Sequence, residues 1–254
     1  MSSQSLQGKV GLIVGVANAH SIAAGCAAAF RGAGADLVLT YLNAKSLPFV
    51  EPVAESVGAT ALLPLDVEVP GQMEAVFDAV RARFGRLDFV LHSIAFCPKD
   101  DLQGRVIDCS ASGFARAMDV SVHSFLRMAR LAEPLMTEGG ALLTVSYYGA
   151  EKVVDHYNVM GPVKAALESV VLALAVELGA RGVTVNAISP GPLATRAASG
   201  IDHFDELLEQ AKRRSPGQRL VTLEEVGAAA LGLVASAAMT GNVVFVDAGL
   251  HVRA

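Results

Sequence analysis

The sequence predicts an α/β protein built on one doubly wound, parallel, seven-stranded sheet, folded as a single domain over residues 1–254. Three observations predict it. Seven short apolar runs recur along the chain, each is continuously hydrophobic instead of alternating, and helical patterns separate them. Strands covered on both faces read as unbroken apolar runs. Strand–helix alternation implies right-handed crossovers, with helices packed on both sheet faces.

The elements follow in order. Val10–Val16 is the first strand and Ser21–Gly32 the first helix. Leu37–Tyr41 leads to helix Lys45–Val57, and Ala61–Leu65 to helix Gln72–Phe84. Leu87–Ile94 is the fourth strand, followed by one long helical pattern, Gly113–Met136. Ala141–Tyr147 is the fifth strand, and Val163–Leu178 a helix that Lys164 opens. Pro162 has no N–H to give to a helix interior, so regular hydrogen bonding should begin around Asn158 to Pro162, with Tyr157 at the mouth. Val183–Ile188 is the sixth strand. Between it and helix Leu223–Val234, the segment Ala198–Arg214 carries Ile201, Phe204, Leu207, Leu208 and Ala211 at three- and four-residue spacings. That spacing makes an amphipathic helix, a candidate substrate lid at about 195–214. An equal reading is a surface helix with its apolar stripe on the core. Val243–Val246 closes the sheet. The order is that of a Rossmann-type fold, which binds ligands at the carboxyl ends of its strands.

Bulk properties narrow the function. Of the 254 residues 52% are hydrophobic, ample for one core. The formal charge of -5 offers no basic excess, which argues against nucleic acid as a partner. Cys26, Cys97 and Cys109 are odd in number and widely spaced, which points to reduced thiols and a cytoplasmic location. MSSQSLQGKV has no apolar core and does not read as a signal peptide. The longest apolar stretch, Val170–Val176, is too short to span a bilayer, so no membrane association is expected. The six histidines do not cluster, so no metal is expected.

The turn after the first strand, Gly15-Val-Ala-Asn-Ala-His-Ser21-Ile22-Ala23, is not G-x-G-x-x-G. Two readings stand level. Gly15 and the helix N-terminus form a phosphate site with Ser21 donating its hydroxyl, or this is an ordinary turn with Ser21 as N-cap.

Two Tyr-x-x-x-Lys matches, Tyr41/Lys45 and Tyr148/Lys152, are badly placed: one ends the second strand, the other directly follows the fifth. Lys164, at the head of a long helix, lies seventeen residues after Tyr147 and seven after Tyr157. Seven residues are about two helical turns, which would set Tyr157 and Lys164 on one face about 10 Å apart. The pattern Tyr147-x9-Tyr157-x6-Lys164, within SYYGAEKVVDHYNVMGPVKAALES, closely resembles the bacterial enoyl-[acyl-carrier-protein] reductases of the short-chain dehydrogenase/reductase superfamily. The resemblance covers nearly the whole chain and includes GKVGLIVGVANAHSIA, LDFVLHSIAF, VTVNAISPGPLATRAASGI, LEEVG and VFVDAG. In the superfamily's usual order of Ser, Tyr and Lys, Tyr147 holds the Ser position and Met160 the Tyr position. That argues against a carbonyl reductase or alcohol dehydrogenase.

The resemblance implies hydride transfer from NAD(P)H to the β-carbon of a trans-2-enoyl thioester in fatty acid synthesis. Charge then develops on the thioester oxygen, which needs a donor. Tyr157 is the candidate donor, a phenol that titrates near 10 and is protonated at neutral pH. Lys164 is expected on the nicotinamide ribose, its charge favouring the enolate. Tyr147 is a second hydroxyl over the substrate. By resemblance Gly15, Ser21 and Ile22 flank the pyrophosphate, and Leu42 stands near the adenosine ribose. Asp66 and Val67, ending the third strand, contact the adenine, or Asp66 caps the following helix. Ser93, Ile94 and Ala95 lie under the nicotinamide, while Leu193, Ala194 and Thr195 hold the carboxamide and phosphates. Cys97, Leu102, Met160, Pro192, Phe204 and Leu207 are candidate substrate contacts, and for most of them core packing is an equal reading. Tyr41-Leu42-Asn43-Ala44 offers no basic partner for a 2′-phosphate, so NAD(H) is expected as cofactor, with NADP(H) left open.

The chain also departs from the family. Asp202, Asp205 and Glu206 stand where relatives often place Lys and Arg beside the acidic carrier protein, which puts carrier docking in question. Helices Gly113–Met136 and Val163–Leu178 are apolar over more than one stripe, and the resemblance implies a homotetramer. The competing readings are a specialised paralogue acting on another activated alkene or carbonyl, and a non-catalytic NAD(H)-binding protein.

Overall fold

The computed structural model describes residues 5–195 and 203–253. Seven strands form one sheet: β1 (Val10–Val14), β2 (Asp36–Tyr41), β3 (Ala61–Pro64), β4 (Phe89–His92), β5 (Gly140–Val145), β6 (Val183–Pro190) and β7 (Asn242–Val246). Their order is β3-β2-β1-β4-β5-β6-β7 and every pairing is parallel. The expected doubly wound sheet is therefore the observed one. The unbroken apolar runs hold for the inner strands, where β1, β4 and β6 are buried at every position. They mislead at β3 and β7, the two edges, which are half-exposed because each has a neighbour on one side only. Pro64 ends β3 on that edge, where a missing N–H costs no ladder bond.

The helices are α1 (Ile22–Gly32), α2 (Leu47–Ser56), α3 (Gln72–Phe84), α4 (Lys99–Leu102), α5 (Ala111–Met118), α6 (Ser124–Ala132), α7 (Met160–Gly179), α8 (Phe204–Arg214), α9 (Leu223–Ala235) and α10 (Leu250–Arg253). Two apolar layers result. Side chains of α1, α2 and α9 pack on one sheet face, around Phe30 and Phe89, whose rings meet edge to face at 4.9 Å. Side chains of α3, α5, α6 and α7 pack on the other, around Phe77, Phe125 and Leu167.

One expected helix is corrected. Gly113–Met136 is not continuous: a π-helical turn, Asp119–His123, separates α5 from α6, and a 3-10 turn, Glu133–Leu135, ends it at Pro134. At the π turn Ser124 Oγ donates to Val120 O four residues back, at 2.6 Å, a bond that competes with the regular ladder. The turn also aims Ser121 at the end of β4, where its hydroxyl accepts from Phe96 N at 3.0 Å and bonds Phe96 O at 3.2 Å. α7 begins at Met160 as expected, so Pro162 sits in the first turn, where its missing N–H has no intrahelical acceptor anyway. Among the described residues no helix is long and apolar enough to cross a membrane.

Candidate active site

The carboxyl ends of β4, β5 and β6 converge on a cavity of about 200 Å³ with mainly apolar walls. Side chains enter it from five places. Ser93, Ile94, Ala95, Cys97 and Leu102 follow β4; Tyr147, Tyr157, Met160 and Lys164 come from the β5–α7 connection and α7; Pro192, Leu193 and Thr195 follow β6; Ile22 and Phe204 open α1 and α8. All of these are expected site residues. Phe96, Val145, Ser146, Pro190 and Gly191 also line the cavity and are not among the expected site residues.

Tyr157 stands in the turn that precedes α7. His156 and Asn158 on either side have left-handed φ of 62° and 46°, so the backbone reverses around it. Asn158 Nδ2 ties this turn to Gly104 O at 3.1 Å. The two-turn helical separation expected between Tyr157 and Lys164 therefore does not apply, because only Lys164 is on the helix. The Tyr147 ring lies between two others, 4.8 Å from Tyr157 and 4.6 Å from Tyr148 between centroids. Burial pushes the Tyr147 and Tyr157 phenols well above their ordinary value, so both are protonated at neutral pH.

Lys164 is buried, at 4% exposure, and its Nζ donates to Val145 O at 2.6 Å. Burial lowers its pKa to about 8, with Glu168 acting in the opposite direction. Behind it His92 bridges Thr144 and Ser124 hydroxyls at 2.8 Å each, and burial followed by the Lys164 charge brings its pKa down to about 3. It is a neutral brace between β4, β5 and α6. Cys97 is half-buried on the cavity wall, and burial pushes its thiol up to about 11, so it is a neutral apolar contact. The cavity thus offers protonated phenols and one buried cation to whatever enters, an arrangement suited to stabilising an oxyanion.

Seven expected residues do not line the cavity. Gly15 and Ser21 form the β1–α1 turn. Gly15 has φ +100°, and a Cβ there would stand 2.0 Å from Ser93 O, so the turn presses on the end of β4. Ser21 is the N-cap of α1: its Oγ accepts from Ala24 N at 3.3 Å and donates to Asn18 O at 2.8 Å. The cap reading is the observed one, and any phosphate would have to draw the hydroxyl from Asn18. Leu42 is exposed after β2. Asp66 and Val67 follow β3 instead of ending it, and both lie beyond the cavity. Asp66 Oδ1 accepts from Glu68 N at 3.0 Å, while the residue flanking α3 is Gly71, so Asp66 does not cap that helix. The Val67 carbonyl accepts from Arg127 Nη2 at 2.8 Å. Ala194 stands between the lining residues Leu193 and Thr195 and does not itself reach in. Leu207 does not line this cavity. It lies about 4.5 Å further along α8 than Phe204 and faces a separate cavity with Tyr148, Val154, His156 and Arg214. Of the expected apolar stripe of this segment, Ile201 lies outside the described residues, as does Asp202, and Ala211 is the buried member. Among the described residues no three His, Cys, Asp or Glu side chains are grouped to hold a metal.

Comparison with known proteins bears on this geometry. The model of the enoyl-(acyl carrier protein) reductase family matches residues 15–251. The chain is 48% identical over 252 residues to enoyl-[acyl-carrier-protein] reductase [NADH] 1 of Rhizobium meliloti, covering 98% of this chain and 93% of that protein. The crystal structure of the Anaplasma phagocytophilum enoyl-(acyl-carrier-protein) reductase in complex with NAD superposes with a TM-score of 0.93 at 48% identity, covering 97% of this chain and 95% of that one. That of the Bacillus cereus enoyl-acyl carrier protein reductase, with NADP+ and an indole naphthyridinone, superposes with a TM-score of 0.94 at 41% identity, covering 97% and 98%.

Proposed function

The chain belongs to the enoyl-[acyl-carrier-protein] reductase family, and from that premise we propose that it reduces the 2,3 double bond of an enoyl thioester with NADH in fatty acid synthesis. The observation that carries the reading is the convergence of Tyr157, Tyr147 and buried Lys164 on one apolar cavity at the carboxyl edge of the sheet.

The residues present fit a dinucleotide. Gly15 brings backbone against backbone at the first turn, and the N-terminus of α1 beyond it presents orphan N–H groups suited to a pyrophosphate. Asp66 and Val67 would take the adenine, and Ser93–Ala95 and Leu193–Thr195 the nicotinamide end. Lys164 would take the ribose hydroxyls. When bound, NADH supplies the hydride. Tyr157 then donates its hydroxyl hydrogen bond to the thioester oxygen as negative charge gathers there, and Lys164 adds a positive field in a medium of low dielectric. Tyr147, its ring packed against that of Tyr157, would be a second hydroxyl over the substrate. Cys97, Leu102, Met160, Pro192 and Phe204 would enclose the acyl chain and keep water from the reacting carbons. The segment at about 195–214 would act as the cover.

The test is spectrophotometric. NADH should be oxidised with crotonyl-CoA or a longer 2-enoyl-CoA and not with a ketone, and NADPH should be at least about tenfold less efficient, since no basic side chain follows β2 before exposed Lys45. Ketone turnover, silence with every enoyl thioester, or preference for NADPH would each overturn the corresponding part of the reading.

The acyl group in this family's name rides on a carrier protein, and α8 bears on how this chain meets it. Its first turn carries Asp205 and Glu206 and its last Lys212, Arg213 and Arg214, all exposed. That order suits the helix macrodipole, but it sets acidic groups where an acidic carrier would approach. Docking is therefore weak, or shifted to the basic end. Asp205→Lys with Glu206→Lys should raise the association rate with a carrier-bound substrate, most at low salt. An efficient wild-type reaction, unchanged by these substitutions and by neutralising the basic end, would contradict this.

Exposed Phe114, Leu126, Leu172 and Val176 on α5, α6 and α7 offer apolar surface to further copies of the chain, and we take the assembly to be a homotetramer. The free cysteines suit a cytoplasmic protein.

A further inference from the structure

We propose that Glu168 is a positioning residue of this active site: it pins the end of β5 that bears Tyr147 and keeps a negative charge one helical turn from Lys164. The inference rests on the enoyl-reductase reading above. Its basis is a double tie. Two consecutive residues at the end of β5 are bound to two residues one turn apart on α7. Lys164 Nζ donates to Val145 O at 2.6 Å, and Ser146 Oγ donates to Glu168 Oε1 at 2.5 Å. Lys164 and Glu168 are an i, i+4 pair and share a helix face. One bond would leave the strand end free to swing; two fix its position and its rotation. The next residue is Tyr147, so the tie sets where that ring leaves the backbone. Ser146 is itself buried and lines the cavity, and Glu168 is half-buried behind it.

The charge acts as well as the bond. Burial disfavours the Lys164 ammonium, and Glu168 opposes that loss. From β4, His92 faces Lys164 as a neutral imidazole, and from the turn before α7 Tyr157 is a protonated phenol whose proton Glu168 helps to hold. Glu168 is thus the carboxylate that balances this buried cation among the described residues. Glu168 is acted on in turn by burial and Glu151, which raise its pKa, and by Ser146 and Lys164, which lower it.

Glu168→Gln removes the charge and keeps an oxygen for Ser146. Lys164 then loses its proton at lower pH. The alkaline limb of kcat/KM for NADH, which reports the free enzyme, should move down by about one pH unit. Efficiency should fall about tenfold at pH 8.5 and stay within about twofold of wild type at pH 6.5. A purely structural role would lower both alike. Glu168→Asp keeps the charge but shortens the reach to Ser146, so its limb should stay in place while kcat falls at every pH; it serves as the second arm should the Gln variant not fold. An alkaline limb of Glu168→Gln that superposes on wild type, or of Glu168→Asp that moves down, would overturn the proposal. Direct NADH titration against pH follows the same limb without turnover. A wild type that binds NADH but reduces no enoyl thioester would overturn the functional reading and leave this test standing.

Discussion

Replacing Tyr157 by Phe should lower turnover of a 2-enoyl thioester by about 10²–10³, the usual loss when one oxyanion donor is removed. The ring is the larger part of the residue and stays. It packs against Tyr147 at 4.8 Å, so neither the tyrosine cluster nor the turn before α7 should collapse. The hydroxyl alone is lost, and with it the donor that meets charge as it develops. Because this contact strengthens in the transition state, kcat should fall with little change in the dissociation constant for NADH. Stopped-flow turnover and cofactor titration on one preparation check both halves. Near-normal turnover of Tyr157→Phe would assign the donor elsewhere.

Replacing Lys164 by Met should show the opposite split. Methionine fills much of the same buried volume but carries no donor. Hydrogen bonds to a charged group contribute about 1.5–3 kcal/mol, so the dissociation constant for NADH should rise by roughly 10–100-fold. The Val145 carbonyl loses its partner too, and some thermal stability should go with it. Fluorescence titration of NADH measures the first effect and thermal unfolding the second. A variant that binds NADH as wild type does would remove Lys164 from the cofactor site.

The alternation of strand and helix was legible because each inner strand is buried on both faces and each crossover has its own helix. The bounds of α3, Gln72–Phe84, were readable because Gly71 and Gly85, both with left-handed φ, stop the helix at each end. Strand ends were overread. Val16 and Tyr147 follow β1 and β5 without joining the ladder: Val16 is buried in the core, and Tyr147 lines the cavity. The π turn in Asp119–His123 left no Gly or Pro to mark it. Tyr157 and Lys164 stood out by residue type and spacing. Ser121, Ser146 and Glu168 did not, because each acts across a strand–helix contact that has no local pattern. Leu207 shared a stripe with Phe204, but helical spacing does not say which cavity a stripe faces.

In the proposed reaction the hydride of NADH reaches the β-carbon of an enoyl thioester. The direct measurement supplies NADH deuterated at nicotinamide C4, in either face, with crotonyl-CoA in ordinary water, and locates the label in the product by mass spectrometry. The geometry predicts deuterium at C3 of butyryl-CoA from one of the two labelled faces, with C2 taking its proton from elsewhere. Deuterium at C2, label on a carbinol carbon, or no transfer from either face would contradict it.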